Sequence, residues 1–190
     1  MLALSPKTEF AMPVPNPLPS VVQATAESLQ DELTAYWPSS GENNVPEANA
    51  VLHLAFALRS EGFRVYPQVQ LNGHRRKHID LFAFHPESGM GVAVEGKKLY
   101  PGKKAEVKAD WKRLLEYRLP REHTRRPLLT SSLAMVIGTT FHRQSVIRWW
   151  EGRKFSQADV LEHSLGNVGD WGVHTLFAVV QPAVLSFGRR

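Results

Sequence analysis

Cysteine is absent from all 190 residues. That removes disulfide bridges, thiolate metal sites and a cysteine nucleophile from consideration. No stretch approaches the roughly 20 uninterrupted apolar residues that a membrane-spanning helix needs. The first residues lack a basic segment followed by an apolar run, so no secretory signal is read and a cytoplasmic protein is expected. Neither a Walker-type nor a dinucleotide-type glycine loop occurs, and there is no G-x-S-x-G elbow. Histidines number eight, without paired metal-ligand spacing. His74 and His78 are four apart but fall on a turn and a strand entry, where that spacing does not bring them to one face.

What is present is an ordinary globular composition, 43% apolar and 22% charged, long enough for one sizeable core. The formal charge of +5 is modest, but its distribution is uneven. Residues 97–126 hold eleven Lys or Arg against four Asp or Glu, and His74-Arg75-Arg76-Lys77-His78 forms a second basic cluster. Such clusters are the electrostatic footprint expected of a nucleic-acid partner.

Pro6, Pro13, Pro15, Pro17 and Pro19 forbid regular structure, so residues 1–19 read as an extended N-terminal arm and residues 20–190 as a single domain. A helix is expected over residues 20–37, and a second, well-buried helix after Pro46 that Gly62 ends. His53, in its apolar stretch, reads as a core residue rather than a ligand. Residues 63–71, 79–85 and 91–98 read as three strands of a meander. A helix over residues 103–119 follows, with Val107, Trp111, Leu114, Leu115 and Leu119 on its apolar stripe and Lys104, Lys108 and Lys112 in a cationic row. Then come a buried strand at 132–141, a short helix over 143–152 with Trp149-Trp150 as a packing anchor, another helix over 157–166, and a late strand over 172–181. This order implies a three-layer α/β/α sandwich with a mixed central sheet.

The chemistry concentrates in HIDLFAFHPESGMGVAVEGKK, residues 78–98. If PESG is a four-residue loop, His85 pairs with Met90, and counting outward places Asp80 opposite Glu95. Lys97 then lies on the same face as Glu95. Facing carboxylates with Cβ atoms only ~5 Å apart repel, and a bridging divalent cation would neutralise them. A two-residue loop at Ser88-Gly89 would instead set Asp80 opposite Lys97, an ordinary ion pair of ~0–1 kcal/mol.

At these residues the chain resembles the PD-(D/E)XK nuclease superfamily, with its restriction-endonuclease-like core, over residues of about 44–140. Asp80 matches the first acid, Glu95 the second, Gly96 the variable position and Lys97 the lysine. Ile79 replaces the proline before the first acid, which many members also lack, and Gly96 stands where an apolar residue is usual. The family's preceding helix often carries another acid; Glu47 opens that helix here, although an acid in a first turn also suits the helix dipole. The resemblance implies Mg²⁺ or Mn²⁺ held by Asp80, Glu95 and the Gly96 carbonyl, with Lys97 orienting or helping to deprotonate the attacking water. Arg75, Arg76, Lys77, Lys98, Lys104, Lys108 and Lys112 would hold the phosphate backbone without reading sequence. DNA is favoured over RNA, and a homodimer would supply two sites for cutting both strands. The reading from a different class is a non-catalytic nucleic-acid-binding or interaction protein on the same fold.

Overall fold

The computed structural model describes residues 16–35, 45–70, 78–115, 118–119, 129–151, 158–169, 172–183 and 186–187. Most of the N-terminal arm therefore lies outside the described residues. Helix α1 (Leu18–Ala35) begins slightly earlier than expected. Asn16 Oδ1 accepts the Leu18 N–H at 3.1 Å, and Pro19 falls in the first turn, where a missing N–H costs nothing. Helix α2 (Glu47–Ser60) follows Pro46 and ends at Gly62, whose φ of 86° suits only glycine well.

Strands β1 (Arg64–Gln70), β2 (His78–His85) and β3 (Met90–Lys98) form the expected meander. Helix α3 (Lys104–Leu115), preceded by a 3₁₀ turn at Pro101–Lys103, carries the chain to β5 (Ser131–Thr140), parallel to β3. Between them, the two residues of β4 (Arg118–Leu119) pair with β8 (Ser186–Phe187), so Leu119 does not extend the helix. Helix α4 (Arg143–Trp150), β6 (Asp159–Asn167) and β7 (Val173–Pro182) complete a six-stranded mixed sheet in the order β1-β2-β3-β5-β7-β6. The segment expected as a helix over 157–166 is thus a strand. Its inward residues Leu161, His163 and Leu165 alternate with exposed ones, a period of two, and it closes the sheet edge beside β7.

Helices pack on this sheet through two apolar clusters. Leu81, Ala83, Val92 and Val94 join α1 and α2 in one, while Phe82 and Ala93 join Val107, Trp111 and Leu114 of α3 and Val146, Trp149 and Trp150 of α4 in the other. Alternate side chains of one strand serving two clusters is what a sheet covered on both faces requires. Trp149 and Trp150 are buried, with the Trp150 ring edge-on to Trp111 at 5.2 Å, as packing anchors. Among the described residues no helix is long and apolar enough to cross a membrane.

Two buried histidines do structural work. His53 joins α2 to α1: its Nδ1 lies 2.9 Å from Ser28 Oγ and its Nε2 lies 2.6 Å from Glu32 Oε2. The serine sits in mid-helix, where backbone N–H groups are committed to helical bonds and leave no oxyanion pocket, so the trio is a clasp between helices. His174, on β7, is 1% exposed. Its Nδ1 lies 3.2 Å from the Gly172 carbonyl, its ring packs near Phe141, and Nε2 has no hydrogen-bond partner among the described residues. Burial pushes its pKa below the ordinary 6.5, only partly opposed by the Gly172 carbonyl. The unfolded chain then binds a proton that the folded chain resists, so this histidine's share of stability is lost as pH falls from 6.5 toward its folded pKa. We expect His174→Gln to lose less stability than the parent between pH 7 and 5, read as urea midpoints across that range.

Candidate active site

The β2–β3 ladder pairs His85 with Met90 and runs in register to Leu81 with Val94. PESG is therefore the four-residue loop, the shorter alternative is excluded, and extrapolation by one residue brings Asp80 level with Glu95. The ladder stops there. Instead of facing Glu95 as a regular cross-strand partner, the half-buried Asp80 bends its carboxylate onto the backbone of β3. Asp80 Oδ2 accepts the Gly96 N–H at 2.8 Å, and Oδ1 accepts Gln68 Nε2 at 3.3 Å.

Asp80 also lines a cavity of about 380 Å³ beneath α2, together with Glu47, Val51, Leu52, Pro67 and Gln68. Glu47 is exposed at the first residue of that helix. Gly96 is what lets α2 come so close. A Cβ there would lie 2.5 Å from Val51 Cγ2 and 3.3 Å from the Glu47 carbonyl oxygen. The glycine standing where an apolar residue is usual is where the start of α2 crosses the strand.

Glu95 leans the other way, toward α3, and is only 3% exposed. Burial pushes its carboxyl up to about 7; the Arg113 guanidinium pulls against that rise, Asp80 adds to it, and Lys97 opposes it. Arg113 Nη2 donates to Glu95 Oε1, while Nη1 lies 2.9 Å from Asp110 Oδ1. Asp110 Oδ2 in turn takes the Lys97 ammonium at 2.7 Å, with Glu106 3.9 Å from the same nitrogen. Burial weakens the Lys97 ammonium, but the Asp110 hydrogen bond and charge outweigh that and leave its pKa raised.

One turn of α3 thus holds both charged residues of the Glu-x-Lys motif. Asp110 and Arg113 went unnoticed in the sequence because the helix reads as a cationic row beside an apolar stripe. The available signal was an acid and a base three residues apart, between the two stripes, directly after the motif strand. Of the residues expected to hold phosphate, Lys104 and Lys112 are exposed on α3, and Lys98 and Lys108 are half-buried. Arg75, Arg76 and Lys77 lie outside the described residues.

Would these groups suit a divalent ion? Among the described residues, no three or more His, Cys, Asp or Glu side chains converge as a ready-made metal cage. The donors near the end of the ladder are oxygens, and Asp80 is close enough to raise the proton affinity of Glu95, an effect smaller than the opposing pull of Arg113. Mg²⁺ is commonly held by one or two carboxylates with water and substrate oxygens, so the donor set fits an ion of that kind. Comparison of the chain with protein-family models, with curated proteins and with solved structures returned no match.

Proposed function

We propose that the protein is a metal-dependent nuclease of the PD-(D/E)XK type, hydrolysing phosphodiester bonds, with DNA favoured over RNA. In this reading the sheet and its helices form the three-layer α/β/α sandwich of a restriction-endonuclease-like core. The observation that carries it is the hairpin register: β2 and β3 part after Leu81 and Val94, so the ladder ends at Asp80 beside the strand that carries Glu95 and Lys97, with Asp80 close enough to raise the proton affinity of Glu95. A structural ion pair between Asp80 and Lys97 would have required the other register.

Asp80, Glu95 and the Gly96 carbonyl would hold Mg²⁺ or Mn²⁺, with Glu47 also lining the Asp80 cavity. When bound, the ion supplies charge to the scissile phosphate and acidity to a water ligand. Lys97, its ammonium paired with Asp110, acts as a fixed positive charge that orients water and offsets charge growing on the phosphate. That assignment favours orientation over proton abstraction. Exposed Lys104 and Lys112 would grip the backbone on either side.

Purified protein incubated with supercoiled plasmid or single-stranded DNA should cut in Mg²⁺ or Mn²⁺ and not in EDTA, and Lys97→Ala should cut at least a hundredfold more slowly, about the loss seen when one electrostatic donor is removed. No cutting with any metal, or equal cutting by Lys97→Ala, overturns the reading. The alternative of a non-catalytic nucleic-acid-binding protein draws on one observation: Arg113 and Asp110 already neutralise Glu95 and Lys97. Salt-sensitive DNA binding without cleavage would favour it.

A further inference from the structure

Asp80 is turned out of its ladder by a neighbour on the edge strand. Residues two apart on a regular strand share a face, yet Leu81 joins the cluster under α1 and α2 while Ile79 joins the cluster under α3 and α4. The paired strand does the same: Val65 packs on the first cluster and Val69 on the second. Both strands therefore exchange faces between these positions. The register does not slip, since Pro67 still pairs with Leu81 and Val69 with Ile79. No residue has been inserted, so this is not a bulge.

What has changed is the intervening pair, Gln68 and Asp80, which is missing from the ladder. Gln68 has a φ of 51°, the only positive value at a non-glycine among the described residues. A left-handed glutamine stores strain of order 1 kcal/mol that the surroundings must hold in place, and such strain gathers at working sites. Here it rotates the strand pair about one residue. The same Gln68 then reaches back with its amide to Asp80 Oδ1 at 3.3 Å, leaving Oδ2 on the Gly96 N–H.

We infer that Gln68 is the positioning residue for Asp80: its left-handed backbone turns the acid toward Gly96 and the cavity under α2, and its amide fixes the carboxylate there. The inference about geometry stands on the strand twist; its consequence for metal binding rests on the nuclease reading above. Gln68 touches neither substrate nor reacting atoms in this scheme.

Two substitutions separate its two contributions. Gln68→Gly keeps the left-handed backbone and removes the amide; Gln68→Val opposes the left-handed backbone as well. Three readouts apply to each: exchange of the Gly96 amide hydrogen by NMR, Mn²⁺ affinity by calorimetry, and urea stability. Gln68→Val should expose the Gly96 N–H, raising its exchange at least tenfold. It should also weaken Mn²⁺ binding about tenfold or more, the usual loss when a residue supporting a metal ligand is removed. Gln68→Gly should weaken Mn²⁺ severalfold with stability unchanged or improved. A role in stability alone would move the urea midpoint without moving Mn²⁺ affinity. Parent-like Gly96 exchange in Gln68→Val overturns the inference whatever happens to metal. Parent-like Mn²⁺ affinity in Gln68→Val beside normal parent binding overturns its metal half while sparing the nuclease reading. A parent that neither binds Mn²⁺ nor cuts DNA overturns that reading, and the Gly96 exchange still decides the role of Gln68.

Discussion

Asp80→Asn should slow metal-dependent cleavage by about a hundredfold or more and leave the protein at least as stable as its parent. The substitution is nearly isosteric. Its amide oxygen can still accept the Gly96 N–H now held at 2.8 Å, so the end of the hairpin keeps its closure. What disappears is a negative charge beside a buried carboxyl that Asp80 already pushes upward. Removing like-charge repulsion stabilises, by an amount set by local screening. The same charge is half of the proposed ion-binding pair, and without it the cleavage rate should fall by roughly 10²–10³-fold or more. A gain or no change in stability with loss of function is the mark of a residue retained for chemistry rather than folding. Plasmid nicking rates in Mg²⁺ beside urea midpoints at pH 7.5 supply both halves. Parent-like cleavage would remove Asp80 from the mechanism; a marked fall in stability would make it a structural cap.

Much of this site was legible because hairpin arithmetic is discrete. Once PESG is the loop, every cross-strand pair follows, and His85 with Met90 fixes Leu81 with Val94 without adjustable parts. The segments 91–98 and 132–141 likewise read as strands from the apolar runs Val92–Val94 and Leu133–Ile137. What escaped was set by contacts remote in sequence. The reversal of faces at Asp80 depends on the backbone of Gln68, and glutamine is not a residue type that announces a left-handed conformation. The grip of Arg113 on Glu95 depends on how α3 lies over β3, which a helical pattern alone does not specify. Residues 159–167 misled because Leu161 and Leu165, four apart, satisfy helical spacing as well as strand alternation, and pairing with β7 decided between them. Gly96 stood out from the expected apolar position without an evident reason because the helix that fills its missing side chain lies some 45 residues earlier in the chain.

Gly138→Ala should be among the most damaging single-methyl changes in the sheet, and its damage should reach the site. Gly138 pairs with Lys97 across the parallel β3–β5 ladder. A Cβ at this position would overlap the Lys97 carbonyl oxygen outright and lie 2.9 Å from its carbonyl carbon and 3.1 Å from Leu99 Cγ. The obstacle is backbone in the centre of a covered sheet, so no side-chain rotation relieves it; β3 and β5 must move apart. Overpacking of this kind costs about 3 kcal/mol, which for a chain of this size lowers the melting temperature by roughly 10 °C. The displaced residue is Lys97 itself, whose ammonium sits 2.7 Å from Asp110. Cleavage by the fraction that remains folded should therefore fall as well, measured well below the variant's melting temperature. Gly102→Ala is the matched control, because nothing lies within 4 Å of a Cβ there, and it should leave both stability and cleavage unchanged. If Gly138→Ala melts like the parent, the close approach of the two strands at Lys97 is wrong. If it is destabilised yet its folded fraction cuts at the parental rate, the exact placement of the Lys97 backbone does not matter to the chemistry.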